Sequence, residues 1–141
     1  MRQVSQKLFI AGQPAQSDID RARSLGIVGI INNRPAGEEP GQPDVAESRA
    51  AAEGLGLEYW HIPVVPGQIS VEQVRAFQAA LASAEGPVLA HCKSGTRSAS
   101  LYAIGEVLDG RMGKDEVVPF GRTLGLDLTG AARWLDAAGA K

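Results

Sequence analysis

The chain has one cysteine, Cys92, and two histidines in 141 residues. A lone thiol excludes any disulfide within the chain and any cysteine-rich zinc or iron–sulfur cluster. His61 and His91 stand far apart, with no carboxylates clustered around them, so the sequence calls for no metal and no cofactor. Charge of one sign is also missing: 14 Lys+Arg stand against 16 Asp+Glu. With no basic excess to neutralise phosphates, non-specific nucleic-acid binding is excluded as an expectation. No apolar run approaches the roughly 18 residues of a membrane span; Gly26–Ile31 is among the longer ones. Met1–Gly12 lacks a signal peptide's apolar stretch and small-residue cleavage site, so the expected location is the cytoplasm.

What remains is 44% hydrophobic and 21% charged, enough for a core and too apolar for disorder. The length and the even composition predict one domain over residues 1–141. Short apolar runs alternate with amphipathic segments, which predicts an α/β fold with a mainly parallel central sheet flanked by helices. Strands are expected at Lys7–Ala11, Ile27–Ile31, Leu57–Val65 and Pro87–Ala90. Helices are expected over Asp18–Leu25 capped by Ser17, Val45–Leu55, and a segment opened by Ser70 with Gln73 completing a capping box. Further helices are expected over Ser98–Leu108, Lys114–Leu124 and Thr129–Ala138. Asn32–Pro43, rich in Pro and Gly, reads as a long loop of the kind that tends to be functional.

The chemistry concentrates in Val88–Ser98, where a buried strand runs through a short loop into a helix. Sites in open α/β sheets form beyond the carboxyl ends of strands, and a helix N-terminus gathers free N–H groups and positive potential. Cys92 stands where both meet, which favours its thiolate. Gly95 lets the backbone turn its N–H groups inward, and Arg97 offers a planar, permanently charged fork to an oxyanion. Lys93, Ser94, Gly95 and Thr96 complete an anion cradle, and Ser98 is positioned to donate a hydrogen bond to the sulfur. His91 reads as a supporting loop residue. Arg34, on a loop expected at the same sheet edge, is a candidate anion ligand that Glu38 or Glu39 pairs with; Gln13 and His61 are weaker candidates.

His91–Ser98 resembles the active-site loops of cysteine phosphatases and of rhodanese-type sulfurtransferases. Ile10–Pro14, the Ile31–Pro43 loop, Tyr59–Val64 and Ala90–Ser98 match in order the pattern of the phosphatase-like domain found in beta-lactamase-hydrolase-like (sulfur dioxygenase) proteins. The resemblance spans nearly the whole chain. It implies a dual-specificity-phosphatase-like fold and a functional link to a sulfur dioxygenase.

Two features separate the reactions. Cysteine phosphatases place five residues between cysteine and arginine; here there are four, Lys93 to Thr96, as is common in rhodanese-type loops. The resemblance puts a phosphatase's general acid after the Ile62–Val64 strand, where Val65–Ile69 carries no carboxylate. Glu72 comes next but suits the first turn of a helix. Both features favour sulfur transfer: the Cys92 thiolate takes sulfur from a small anionic donor, thiosulfate or a persulfide, and a thiol acceptor removes it. The alternative is hydrolysis of a phosphomonoester through a phosphocysteine. A third reading, not enzymatic, is a thiol redox sensor or an anion-binding module.

Overall fold

The computed structural model describes residues 1–139. Five strands form one sheet: β1 (Arg2–Ser5), β2 (Leu8–Ala11), β3 (Gly29–Asn32), β4 (Glu58–His61) and β5 (Val88–His91), in the order β1-β2-β5-β3-β4. All pairings are parallel except β1 with β2. β1 is the one strand the apolar pattern does not reveal. Its Arg2-Gln3-Val4-Ser5 sequence is mostly polar because it lies at the sheet edge and buries little.

β3 and β5 are fully buried, as their apolar residues require of central strands covered on both faces. Over one face pack α3 (Val71–Ser83), α4 (Thr96–Leu108), α5 (Val117–Thr123) and α6 (Thr129–Ala137). Phe77, Leu101, Ile104 and Leu135 are core residues there. Over the other face lie α1 (Gln16–Ser24) and α2 (Val45–Gly54), closing on Ile30, Ala52, Leu57 and Tyr59. No helix among the described residues is long and apolar enough to cross a membrane.

Local chemistry explains where the elements begin. Ser70 and Gln73 form the expected capping box, with Gln73 N–H donating to Ser70 Oγ at 3.2 Å and Ser70 N–H to Gln73 Oε1 at 2.9 Å. Asp44 caps α2 through the Ala46 N–H at 2.8 Å. Ser17 is not a cap: α1 starts earlier, and Asp18 reaches back to the Ala15 N–H at 2.9 Å. The expected Lys114–Leu124 helix divides into a 3-10 turn, Lys114–Glu116, followed by α5. α4 begins at Thr96, two residues before the expected Ser98 start, because Gly95 takes a left-handed conformation (φ 97°) and turns the chain directly from loop into helix.

Register places the site. Asn32 of β3 pairs with His91 of β5, and Ala11 of β2 pairs with the same residue. The chain continuing from each strand therefore emerges at one edge: Gly12-Gln13, Asn33-Arg34 and Cys92-Lys93 lie side by side.

Candidate active site

Cys92 leaves β5 and opens a tight turn in which the Gly95 N–H donates to its Sγ at 3.0 Å. The N–H groups of Thr96, Arg97 and Ser98, at the start of α4, have no intrahelical acceptor and face the same region. Beneath the turn, Gly12 approaches so closely that a Cβ there would stand 2.8 Å from the Lys93 carbonyl oxygen. Gln13 N–H donates to that oxygen at 3.2 Å and fixes the turn against β2.

Arg97, 11% exposed, is anchored from the far side of the sheet edge. Its Nη1 donates to Glu38 Oε2 at 2.6 Å and to the Val64 carbonyl at 2.9 Å, and its Nη2 donates to Glu38 Oε1 at 2.9 Å. A guanidinium has five N–H donors. Two are on Glu38 and one on Val64, which leaves the Nε–H and the second Nη2–H. Those two lie on one edge and form the fork that grips an oxyanion with two parallel bonds. The Glu38 carboxylate is the main cause that holds the Arg97 charge, against partial burial, with the Cys92 sulfur beside it adding to the effect.

Glu38 is itself set by a second arginine. Arg34 is 1% exposed, and its Nε donates to Glu38 Oε1 at 3.0 Å and its Nη1 to Gln13 Oε1 at 2.9 Å. Arg34 Nη2 lies 3.1 Å from Glu39 Oε1 but outside hydrogen-bonding geometry, so that contact is ionic only. His61 Nε2 contacts the Arg34 carbonyl at 2.6 Å. Two arginines around one carboxylate, led by the Arg97 bonds and opposed by burial, push Glu38 down to about 2. Glu39, bridging to Lys93 Nζ at 2.9 Å, is also pushed down, first by Lys93 and then by Arg34.

Several expectations need correction. Ser98 does not bond the sulfur: its one hydroxyl hydrogen goes to Asn33 Oδ1 at 2.7 Å, which ties α4 to the loop after β3. Arg34 does not face the space in front of the cysteine loop; it is buried behind Glu38 and acts on Arg97 through it. The His91 ring makes only a long 3.4 Å contact to the Cys92 carbonyl, while its own backbone oxygen accepts from Asn33 N–H at 2.8 Å. Burial pushes His91 down to about 4, so its ring is neutral at pH 7.

Lys93, Ser94, Thr96 and Arg97 border a cleft of about 630 Å³ that Ile69 and Trp134 also line. Cys92 itself is buried. Sequence reasoning missed Asn33 altogether and missed that Glu38 holds Arg97. No local spacing signalled either, because Glu38 meets Arg97 and Asn33 meets Ser98 across 59 and 65 residues of chain.

Residues 1–109 match the phosphatase-like domain of beta-lactamase hydrolase-like proteins. The chain belongs to this family. A beta-lactamase hydrolase-like protein of Agrobacterium fabrum is 47% identical over 133 residues, covering 94% of this chain and 31% of the relative. The domain thus spans about a third of the curated relatives it matches. A Neisseria meningitidis protein described as a candidate phosphatase superposes with a TM-score of 0.87 at 33% identity, covering 97% of this chain and 96% of that one. The fold is also that of Pseudomonas aeruginosa TpbA, solved in complex with phosphotyrosine (TM-score 0.63, 19% identity, 82% of this chain and 67% of that one). The architecture is a phosphatase-like α/β domain of the dual-specificity type.

Proposed function

We propose that this domain hydrolyses phosphomonoesters through a phosphocysteine formed on Cys92. The observation that carries the reading is the Arg97 fork: Glu38 and Val64 take three donors and leave an adjacent pair free beside the sulfur. Free N–H groups at the start of α4 and the Gly95 N–H extend the cradle. Such preorganised donors stabilise charge that develops on phosphoryl oxygens during transfer. Membership in a phosphatase-like family and phosphotyrosine bound to a protein of the same fold support the same substrate chemistry.

Lys93, Ser94 and Thr96 line the approach; Glu38 and, behind it, Arg34 act as positioning residues for Arg97. Ser98, with its hydroxyl on Asn33, holds the loop after β3 rather than the sulfur. The four-residue spacing between Cys92 and Arg97 favours a second reading, sulfur transfer from thiosulfate or a persulfide to a thiol acceptor, with a functional link to a sulfur dioxygenase.

The test runs both reactions in parallel, on wild type and on Cys92→Ser. Phosphate release from 4-nitrophenyl phosphate that Cys92→Ser lowers by at least about 10³-fold is the expected result. Thiocyanate formed from thiosulfate and cyanide, with a sulfur adduct on the intact protein and no phosphate release, would overturn it.

A further inference from the structure

Three carboxylates stand near the Cys92 loop, and none of them is free to give up a proton. Glu38 is fixed between Arg97 and Arg34. Glu39 is paired with Lys93. Asp127, the one carboxylate among the described residues that border the cleft, accepts the Thr129 N–H at 3.0 Å just before α6. Each is held on the ionised side of its ordinary range: Glu38 chiefly by Arg97, Glu39 chiefly by Lys93, and Asp127 chiefly by the Thr129 N–H. The segment Val65–Ile69, which forms the near wall of the cleft, has no acidic residue, and Glu72 sits in the first turn of α3 without bordering the cleft.

The cleft itself has an apolar floor. Trp134 presents its indole there, and the indole N–H is satisfied internally by the Ile69 carbonyl at 2.8 Å. That bond pins α6 to the segment after β4 and leaves the ring's faces without a polar demand. Ala131 and Ile69 extend the apolar surface, and Lys93 and Arg133 place positive charge at the rim. The opposite wall lies in residues 127–137.

We infer that the site selects its substrate by the leaving group: it acts on aryl phosphomonoesters, whose phenolate departs without a proton, with the aryl ring seated against Trp134 on the apolar floor of the cleft. This rests on the phosphatase reading above. The Cys92 thiolate attacks phosphorus; the S–P bond forms as the P–O(aryl) bond breaks, and the electron pair leaves on the phenolate, which takes its proton from solvent. Water then attacks the phosphocysteine; the S–P bond breaks, the thiolate is restored, and both water protons leave on dihydrogen phosphate. Neither step needs a side-chain acid. An alkoxide leaving group is too basic to depart in this way.

The test measures kcat/KM at pH 7 for phenyl phosphates of graded phenol acidity, for ethyl phosphate, and for acetyl phosphate, which has a good leaving group and no ring. The expected result is a steep fall as the phenol becomes less acidic, with ethyl phosphate at least about 10³-fold slower than phenyl phosphate. Trp134→Ala should raise KM for phenyl phosphate about tenfold more than it raises KM for acetyl phosphate, with thermal unfolding measured alongside to show that the variant is folded. Trp134→Phe, which keeps a ring, should retain most of the affinity. Ethyl phosphate within about tenfold of phenyl phosphate, or an unchanged KM in Trp134→Ala, overturns this inference alone. No Cys92-dependent phosphate from any of the substrates overturns the phosphatase reading with it.

Discussion

Two loops leave the carboxyl edge of the sheet side by side, and they hold their shape by different means. The Cys92–Arg97 loop is set by backbone: the left-handed Gly95, its N–H on the sulfur, and the close seat of Gly12 under the Lys93 carbonyl. The Asn32–Pro43 loop meets it with side chains, as Glu38 holds Arg97, Arg34 holds Glu38, and Glu39 reaches Lys93. Backbone geometry is local and tolerates little change. Ion pairs reach across long stretches of chain but depend on charge state and on both partners. The first loop sets the place of Cys92; the second fixes the Arg97 guanidinium beside it. Buried pairs of this kind are costly to break, because removing one partner leaves the other charge unpaired.

Substituting one residue in each loop separates the two. Glu38→Gln keeps the shape and removes the charge, so the Cys92 turn should stand while Arg97 loses its aim. Phosphatase kcat/KM is expected to fall by roughly 10–100-fold, the scale of a misplaced charge-stabilising group. Glu39→Gln, on a more exposed pair, should change it less than about threefold. If the two variants behave alike in steady-state kinetics, the side-chain loop has no part in aiming Arg97.

Gly12→Ala tests the backbone loop. Its Cβ would meet a backbone oxygen that cannot swing aside, and overpacking of this sort costs about 1–3 kcal/mol. Thermal or urea unfolding should show that loss. A stability equal to wild type would mean that the turn shifts without cost and is less rigid than its contacts indicate.

The smallest effect concerns His91, beside both loops. Burial holds its folded value near 4, below the ordinary 6.5, so between those values the unfolded chain binds a proton that the folded chain refuses. The His91 contribution to stability is therefore full above pH 6.5 and is lost as pH falls toward 4, with a slope of at most about 1.4 kcal/mol per pH unit. His91→Gln should flatten unfolding curves over that window. Glu38 acts elsewhere: its contribution is complete above its ordinary 4.5 and is lost only as pH falls toward 2. A His91→Gln profile as steep as wild type between pH 6.5 and 4 assigns the slope to other groups.

Legibility followed the range of the interactions. Strands β2, β3 and β5, the Ser70–Gln73 cap and the Cys92-Gly95-Arg97 turn were readable because each is written within a few adjacent residues. Strand β1 was not, because an exposed edge strand carries little apolar pattern. Ser98 was assigned to the sulfur because the two lie within one turn of chain, yet its hydroxyl prefers Asn33, brought near by the pairing of β3 with β5. The division of labour between Arg34 and Arg97 was equally hidden.

The sequence alone determined the α/β layering, the single thiol and the strand–loop–helix that presents it, since hydrophobic period, one cysteine and one turn-forming glycine are local facts. It also showed that Val65–Ile69, where the resemblance would put a phosphatase's general acid, carries no carboxylate. Only the tertiary structure decided which carboxylate aims Arg97, which arginine is buried behind it, and that Trp134 faces the same cleft as the cysteine loop. Those relations join residues from separate strands and helices, and the parallel register of the sheet, more than any motif, sets their distances.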